Sequence, residues 1–152
     1  MSALIPLHRA TLSDKQGLLT IEARRFSTDK ISPRQMHYLL SQAKATTHLA
    51  RVGEQVVGYG MCLLPALPRP ARLYSLAVLP DWRGQQLARR LSQSLLAELY
   101  CLGYSRCRLE VRRGQTAVQN FYLSMGFGLL DELPAYYHDR EDGLRMELVL
   151  ND

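Results

Sequence analysis

The sequence predicts a mixed α/β fold, one sheet covered by helices. Three observations carry that expectation. Short apolar, β-branched runs alternate with stretches whose apolar residues recur every three or four positions, the two periods of strand and helix. Their order along the 152 residues reads β-α-α-β-β-β-α-β-α-β-β. A strand–helix–strand unit stands in the middle of that order, which makes the sheet mixed. The length fits one domain over residues 1–152, large enough to bury a core.

Each element has its own signal. Ile5–Thr11 reads as a short strand, and "LSDKQGLLTIEARRF" as a helix with Ser13 or Asp14 as N-cap and Leu18, Leu19, Ile21 and Phe26 as its apolar stripe. "SPRQMHYLLSQA" is a second helix, Ser32 its N-cap and Pro33 its first residue. "THLARVGEQVVGYGMCLL" reads as a hairpin turning at Gly53-Glu54. "LPALPRPA" holds three of the seven prolines and is a surface loop, and "RLYSLAVL" after it is a buried strand. A helix over Gln85–Leu102 follows, with Leu87, Leu91, Leu95, Leu99 and Leu102 on its core face and Gly103 ending it. "SRCRLEV" is a strand that sets Cys107, Leu109 and Val111 on one face and Arg106, Arg108 and Glu110 on the other. "QTAVQNFYLSMGF" is a short helix closed by Gly126, and "RMELVL" the last strand.

Composition narrows the class. A 47% hydrophobic, 22% charged chain is an ordinary globular protein, and no run approaches the ~18 apolar residues of a membrane span. The N-terminal stretch lacks the basic and apolar regions of a signal peptide, so a cytoplasmic location is expected. Cys62, Cys101 and Cys107 form no CxxC and read as reduced core residues. His8, His37, His48 and His138 lack ligand spacing, so no metal is expected, and no Ser-His-Asp or Cys-His signature is present. The net charge of +5, built from 16 Arg and 3 Lys, points to an anionic partner. The arginines are scattered and no aromatic RNA-binding motif accompanies them, so nucleic acid is not the expected partner.

The chemistry concentrates in "SLAVLPDWRGQQLARRL", Ser75–Leu91, where a strand turns directly into a helix. A helix N-terminus presents unpaired N–H groups and the positive end of the dipole, a natural seat for an anion. No GxxxxGK[ST] and no GxGxxG is present, which sets aside a P-loop and a dinucleotide fold. Arg83-Gly84-Gln85-Gln86-Leu87-Ala88 after "LAVLP" resembles the pyrophosphate signature [QR]-x-x-G-x-[GA] of the GNAT N-acetyltransferases, with Gln86 in place of the central glycine. A glutamine N–H still donates there provided the residue keeps negative φ, in which case Gln86→Gly lowers stability by up to ~1 kcal/mol. "LEVRRGQTAVQNFYLSMGF" resembles the family's next strand and helix: Leu109, Val111, Tyr122, Gly126 and Phe127 are in register, while Gln115 replaces an Asn and Val118 an Ala. "AYYHDREDGLRMEL" is similar to the subgroup that acetylates ribosomal-protein N-terminal alanines.

The resemblance implies a mostly antiparallel sheet of about seven strands with about four helices, its central strands splayed around acyl-CoA. It implies an acetyl-CoA-dependent transfer to a primary amine, a protein or peptide N-terminal α-amine above all, by direct attack in a ternary complex. Leu76, Ala77 and Val78 would pair with the pantetheine arm, and the N–H of Val78 or its neighbour would polarise the thioester. Gly84, Gln85, Gln86, Leu87 and Ala88, with Arg83, Arg89 and Gln115, would hold the phosphates. Tyr122 would be the general acid and Glu110 the general base, directly or through water. From the residues alone, Tyr122 equally suits a packing aromatic, and Glu110 a structural ion pair with Arg108 and Arg112 on its strand face. Tyr74, Tyr136 and Tyr137, with Asp139, Glu141 and Asp142, would line an acceptor groove and attract a cationic amine. A small amine such as a polyamine or aminoglycoside is the alternative acceptor, and a non-catalytic acyl-CoA-binding domain the alternative activity. Either a monomer or a homodimer is compatible.

Overall fold

A computed structural model describes residues 4–25, 29–84 and 86–150. Seven strands and four helices follow in the expected order: β1 (Leu7–Arg9), α1 (Lys15–Ala23), α2 (Pro33–Ser41), β2 (Ala45–Val52), β3 (Gln55–Leu63), β4 (Ala71–Val78), α3 (Leu87–Cys101), β5 (Arg106–Arg112), α4 (Thr116–Ser124), β6 (Gly128–Leu133) and β7 (Gly143–Val149). The strands form one sheet ordered β1-β2-β3-β4-β5-β7-β6. Every neighbouring pair is antiparallel except β4 and β5, which α3 joins as a parallel crossover.

Local chemistry explains most boundaries. The Ser32 hydroxyl accepts from the Gln35 N–H at 3.1 Å with Pro33 at the first helical position, as read from the sequence. Asp14 directly precedes α1, but its carboxylate turns back to the Thr11 N–H (2.9 Å) and to Arg51 instead of capping the helix. Leu18 and Ile21 bury the α1 stripe as expected, and Phe26 lies outside the described residues. In α3, Leu87, Leu91, Leu95 and Leu99 are buried. Leu102 is not part of that face: it lies past the last helical turn, 45% exposed, where the chain reverses through Gly103 and the Tyr104 N–H bonds the Leu99 carbonyl at 3.0 Å. The close approach of α3 to the sheet depends on Gly60, because a Cβ there would stand 2.7 Å from the end of the Leu95 side chain.

Two apolar clusters form the core. One gathers α1, α2, β2 and β3 around Leu18, Met36, Leu49 and Tyr59, and the other gathers α3, α4, β5 and β7 around Leu95, Leu99, Leu109 and Met146. Cys62 and Cys107 are buried free thiols, whereas Cys101 is exposed on α3 instead of in the core.

Polar side chains tie the clusters to the sheet. Glu98 on α3 accepts from Arg9 on β1 (2.8 Å) and from Thr46 (2.7 Å) and His48 (2.6 Å) on β2. Burial pushes its carboxyl up, yet the bonds from Thr46, His48 and Arg9 outweigh burial and hold it below the usual carboxylate range. Under β4, Tyr59 donates to the buried Glu22 of α1 and lies 2.9 Å from the Ser75 hydroxyl. Burial, with Glu22 beside it, raises the Tyr59 phenol far above its ordinary value. Tyr59→Phe removes a bond to a buried charge, so urea unfolding should show a loss of about 1.5–3 kcal/mol.

Candidate active site

The parallel pair β4–β5 is registered only at Ala71↔Cys107 and Arg72↔Arg108. Beyond those two pairs the strands part, although β3 and β7 continue alongside their outer edges. The wedge between them opens into a cleft of about 1140 Å³. The catalytic, cofactor and tyrosine candidates read from the sequence all line it except Gln85, which lies outside the described residues, while Asp139, Glu141 and Asp142 do not line it. β4 is accordingly not a buried strand: Ala71, Leu73 and Ser75 point inward, while Arg72, Tyr74 and Leu76–Val78 remain partly exposed along the cleft.

At one end, a tight turn over Pro80–Trp82 leads into α3. Gly84 has φ +82° and Gln86 φ +63°, so both flank Gln85 in the left-handed region. The condition of a negative φ at Gln86 is therefore not met: the turn imposes the conformation that a glycine would supply freely. Gln86 stands at the N-cap, its carbonyl accepting from the Arg90 N–H (2.9 Å), and makes no side-chain cap. Leu87, Ala88 and Arg89 begin the helix with backbone N–H groups that have no intrahelical acceptor. Arg83 Nε donates to the Val78 carbonyl at 3.3 Å. Arg89 reaches α4, donating to Ser124 Oγ (2.7 Å) with its guanidinium 5.6 Å from the Phe121 ring. Gln115 is the N-cap of α4 with no side-chain cap bond.

In the middle, Tyr122 projects from α4, 8% exposed, edge-on to Phe127 at 5.6 Å. Its hydroxyl makes no hydrogen bond among the described residues, and burial raises its pKa well above the ordinary phenol value. Glu110 comes from β5 with its side chain 7% exposed. Its neighbours differ from those read off the strand: Arg72 Nη2 lies 2.5 Å from Oε1, an ion contact without hydrogen-bond geometry, and Arg145 Nε donates to Oε2 at 3.3 Å. Arg108 pairs instead with Glu147 (2.7 Å).

At the far end, Arg112 is a hub. It binds both carboxylate oxygens of Asp29 (2.9 and 3.0 Å), Asp139 (2.9 Å) and Glu141 (2.8 Å), with its guanidinium 4.2 Å from the Tyr137 ring centre. The Glu141 backbone N–H and Arg112 hold Asp139 below the usual carboxylate range. Asp142 accepts from the Ala135 N–H at 2.8 Å. These bonds tie the acids into the β6–β7 loop, outside the lining of the cleft, where three carboxylates on one guanidinium leave the loop net negative. Tyr136 and Tyr137 pack edge-to-face at 5.0 Å, and burial pushes the Tyr137 phenol up to about 12. Tyr74 accepts from the Gln35 side-chain amide at 2.7 Å and carries the Arg72 guanidinium 5.4 Å from its ring.

Sequence reasoning missed the braces beneath these residues. Arg25 donates to Ser75 Oγ (2.8 Å) and to the Leu76 carbonyl (3.1 Å), and its Nε lies 3.1 Å from Glu22. The available signal was a carboxylate on the core stripe of α1, four residues after Leu18. Nothing in the local pattern marks Arg112 or Asp29.

The cleft between splayed parallel strands, with a helix N-terminus at one end, lies in a chain whose fold is that of an acetyltransferase. The model of the acetyltransferase (GNAT) family matches residues 16–127, and the chain belongs to that family. It is 32% identical over 97 residues to a [ribosomal protein bS18]-alanine N-acetyltransferase of Haemophilus ducreyi, covering 64% of this chain and 65% of that one, so it spans just under two thirds of that relative. Among solved structures, the ribosomal-protein-S18-alanine N-acetyltransferase from Escherichia coli superposes with a TM-score of 0.87 at 24% identity, covering 98% and 96% of the two chains. A chain of the NatC complex bound to Gag peptide and CoA superposes at 0.82 with 21% identity, over 98% and 100%. At those identities the two structures establish the shared fold. The left-handed Gln86 yields a prediction opposite in sign to the sequence expectation: Gln86→Gly should raise stability by about 0.5–1 kcal/mol in denaturant unfolding.

Proposed function

We propose that this protein transfers the acetyl group of acetyl-CoA to a protein or peptide N-terminal α-amine, by direct attack in a ternary complex. The observation that carries the proposal is the divergence of β4 from β5, which leaves backbone of Leu76–Val78 facing a cleft that Tyr122 and Glu110 also line. The chain acts as one acetyltransferase unit, and its three free thiols accord with a cytoplasmic setting. The relative named for an alanine of ribosomal protein bS18, and the neighbour solved with a peptide and CoA, support the class of acceptor.

The phosphates of acetyl-CoA meet the first N–H groups of α3 and the Arg83 and Arg89 side chains, where dipole and charge favour an anion. The pantetheine arm lies along Leu76–Val78, with a backbone N–H there polarising the thioester carbonyl as negative charge develops on it. The neutral amine attacks that carbon, the C–S bond breaks, and the Tyr122 O–H protonates the departing thiolate. Its raised pKa keeps the phenol protonated across the working range. The proton lost by the amine passes through water towards Glu110, whose own oxygens are flanked by Arg72 and Arg145. Tyr74, Tyr136 and Tyr137 shape the acceptor end.

A thiol-release assay tests the reading. Tyr122→Phe should lower kcat by roughly 10²–10⁴-fold with CoA affinity nearly unchanged, whereas Glu110→Gln should cost less and its deficit should shrink as pH rises. A lysine-blocked peptide should outperform an N-acetylated lysine peptide near pH 7. Full activity in Tyr122→Phe would return that ring to a packing role, and CoA binding without transfer to any amine would leave a non-catalytic acyl-CoA-binding domain. Arg83→Glu should weaken CoA binding, measured by calorimetry, and unchanged affinity would sink the phosphate assignment.

A further inference from the structure

The wedge between β4 and β5 ends in an apolar stop. Leu73 and Leu109 directly follow the last registered pair of the two strands, Arg72↔Arg108. Both line the cleft, yet they are only 7% and 2% exposed, and with Tyr122 they belong to the cluster gathered by α3 and α4. Behind them, at the paired end of the strands, the residues are small. Ala71 and Cys107 are registered partners, and Cys62 of β3 is buried in the same cluster. The two leucine side chains are therefore what closes the cleft at this end.

The direction of the donor follows from the topology. β4 runs from Ala71 to Val78, and α3 begins after the turn beyond it. A donor held by its phosphates at the start of α3, with its arm along Leu76–Val78, brings its acyl end towards the closed end of the wedge. The groups that meet it there are apolar, Leu73 and Leu109 from the strands and Tyr122 from α4. We infer that Leu73 and Leu109 set the length of the acyl group, confining the donor to acetyl-CoA and its nearest short-chain homologues.

This inference rests on the proposed use of acetyl-CoA and narrows it to a class of donor. A close-packed interior does not admit an extra methylene without displacing side chains. Leu73 is paired to Cys62 of β3 and Leu109 to Met146 of β7, so each leucine is held by a sheet partner on the side away from the wedge. Shortening either side chain makes room, and a longer acyl chain that fills the room regains the apolar burial.

The test compares acetyl-, propionyl- and butyryl-CoA with one lysine-free peptide carrying a free N-terminal alanine. In the parent protein, kcat/KM should fall about tenfold for propionyl-CoA and about a hundredfold for butyryl-CoA, the discrimination that a closed apolar pocket gives per methylene. Leu73→Val and Leu109→Val each shorten the side chain by one carbon, and each should raise the butyryl-to-acetyl ratio by about tenfold. Calorimetry should show the same ranking in acyl-CoA affinity, with free CoA bound equally by the parent and both variants. Leu99→Val is the control, since Leu99 is fully buried in the same cluster but does not line the cleft, and its ratio should match the parent's. Butyryl-CoA used and bound as well as acetyl-CoA by the parent, a ratio unmoved in both leucine variants, or an equal rise in Leu99→Val would overturn the inference. No transfer from any donor would overturn the acetyl-transfer reading, and the ranking of acyl-CoA affinities would then decide this inference by itself.

Discussion

The site depends on the short parallel pairing of β4 with β5. After Ala71↔Cys107 and Arg72↔Arg108 the two strands face each other without pairing. Unpaired strand edges inside a sheet are costly unless something else satisfies or solvates their polar groups. Here two guanidiniums brace the lips of the gap. Arg25 takes the Leu76 carbonyl on one side, while Arg112 anchors the end of the other strand to three carboxylates. Both braces meet the connection after α1, since Arg25 and Asp29 lie only four residues apart in sequence. Arg25 and Asp29 thus reach the two strands on either side of the wedge, the kind of bracing that the proposed transfer between two bound substrates would use.

The buried network behind Arg25 supports the same geometry. Glu22 accepts from Tyr59, lies against Arg25 and also takes the Ile31 N–H at 2.9 Å. A buried carboxylate is tolerable only when its oxygens are matched in this way. Its position on the core stripe of α1 links the helix, β3 and the free edge of β4. The neighbouring Ser75 hydroxyl is shared between Tyr59 and Arg25, so a disturbance on β3 is transmitted directly to the cleft wall.

The fold was legible because its signals are local. Ser32-Pro33, Gly53-Glu54, Gly103 and Gly126 mark helix and turn boundaries by backbone chemistry that needs no tertiary context. The residues brought to the cleft were legible through the motif around Arg83 and the register from Leu109 to Phe127. What escaped was set by partners far away in sequence. β4 reads as buried because its residues are apolar, yet one edge faces an opening created by β5, some thirty residues later. Gln86 reads as an ordinary helix-start residue, but the turn after Pro80–Trp82 forces φ +63°. The partner of the last loop's acids was equally out of reach: Arg112, 27 and 29 residues earlier, engages Asp139 and Glu141.

The environment of Glu110 bears on which amine the cleft can serve. Glu110 has a guanidinium 2.5 Å from one oxygen, without hydrogen-bond geometry, and accepts from a second at the other. In the proposed mechanism the amine's proton reaches this carboxylate through water. An α-amine of pKa near 8 reaches its neutral form at pH 7 at a cost of about 1.4 kcal/mol, whereas a lysine amine of pKa near 10.4 costs about 4.6 kcal/mol. The difference of ~3 kcal/mol is larger than a partly exposed ion pair usually contributes, so surface contacts at the rim would not reverse it. Under the proposed transfer, the cost of deprotonation ranks α-amines ahead of lysine amines before any side chain of the acceptor is read.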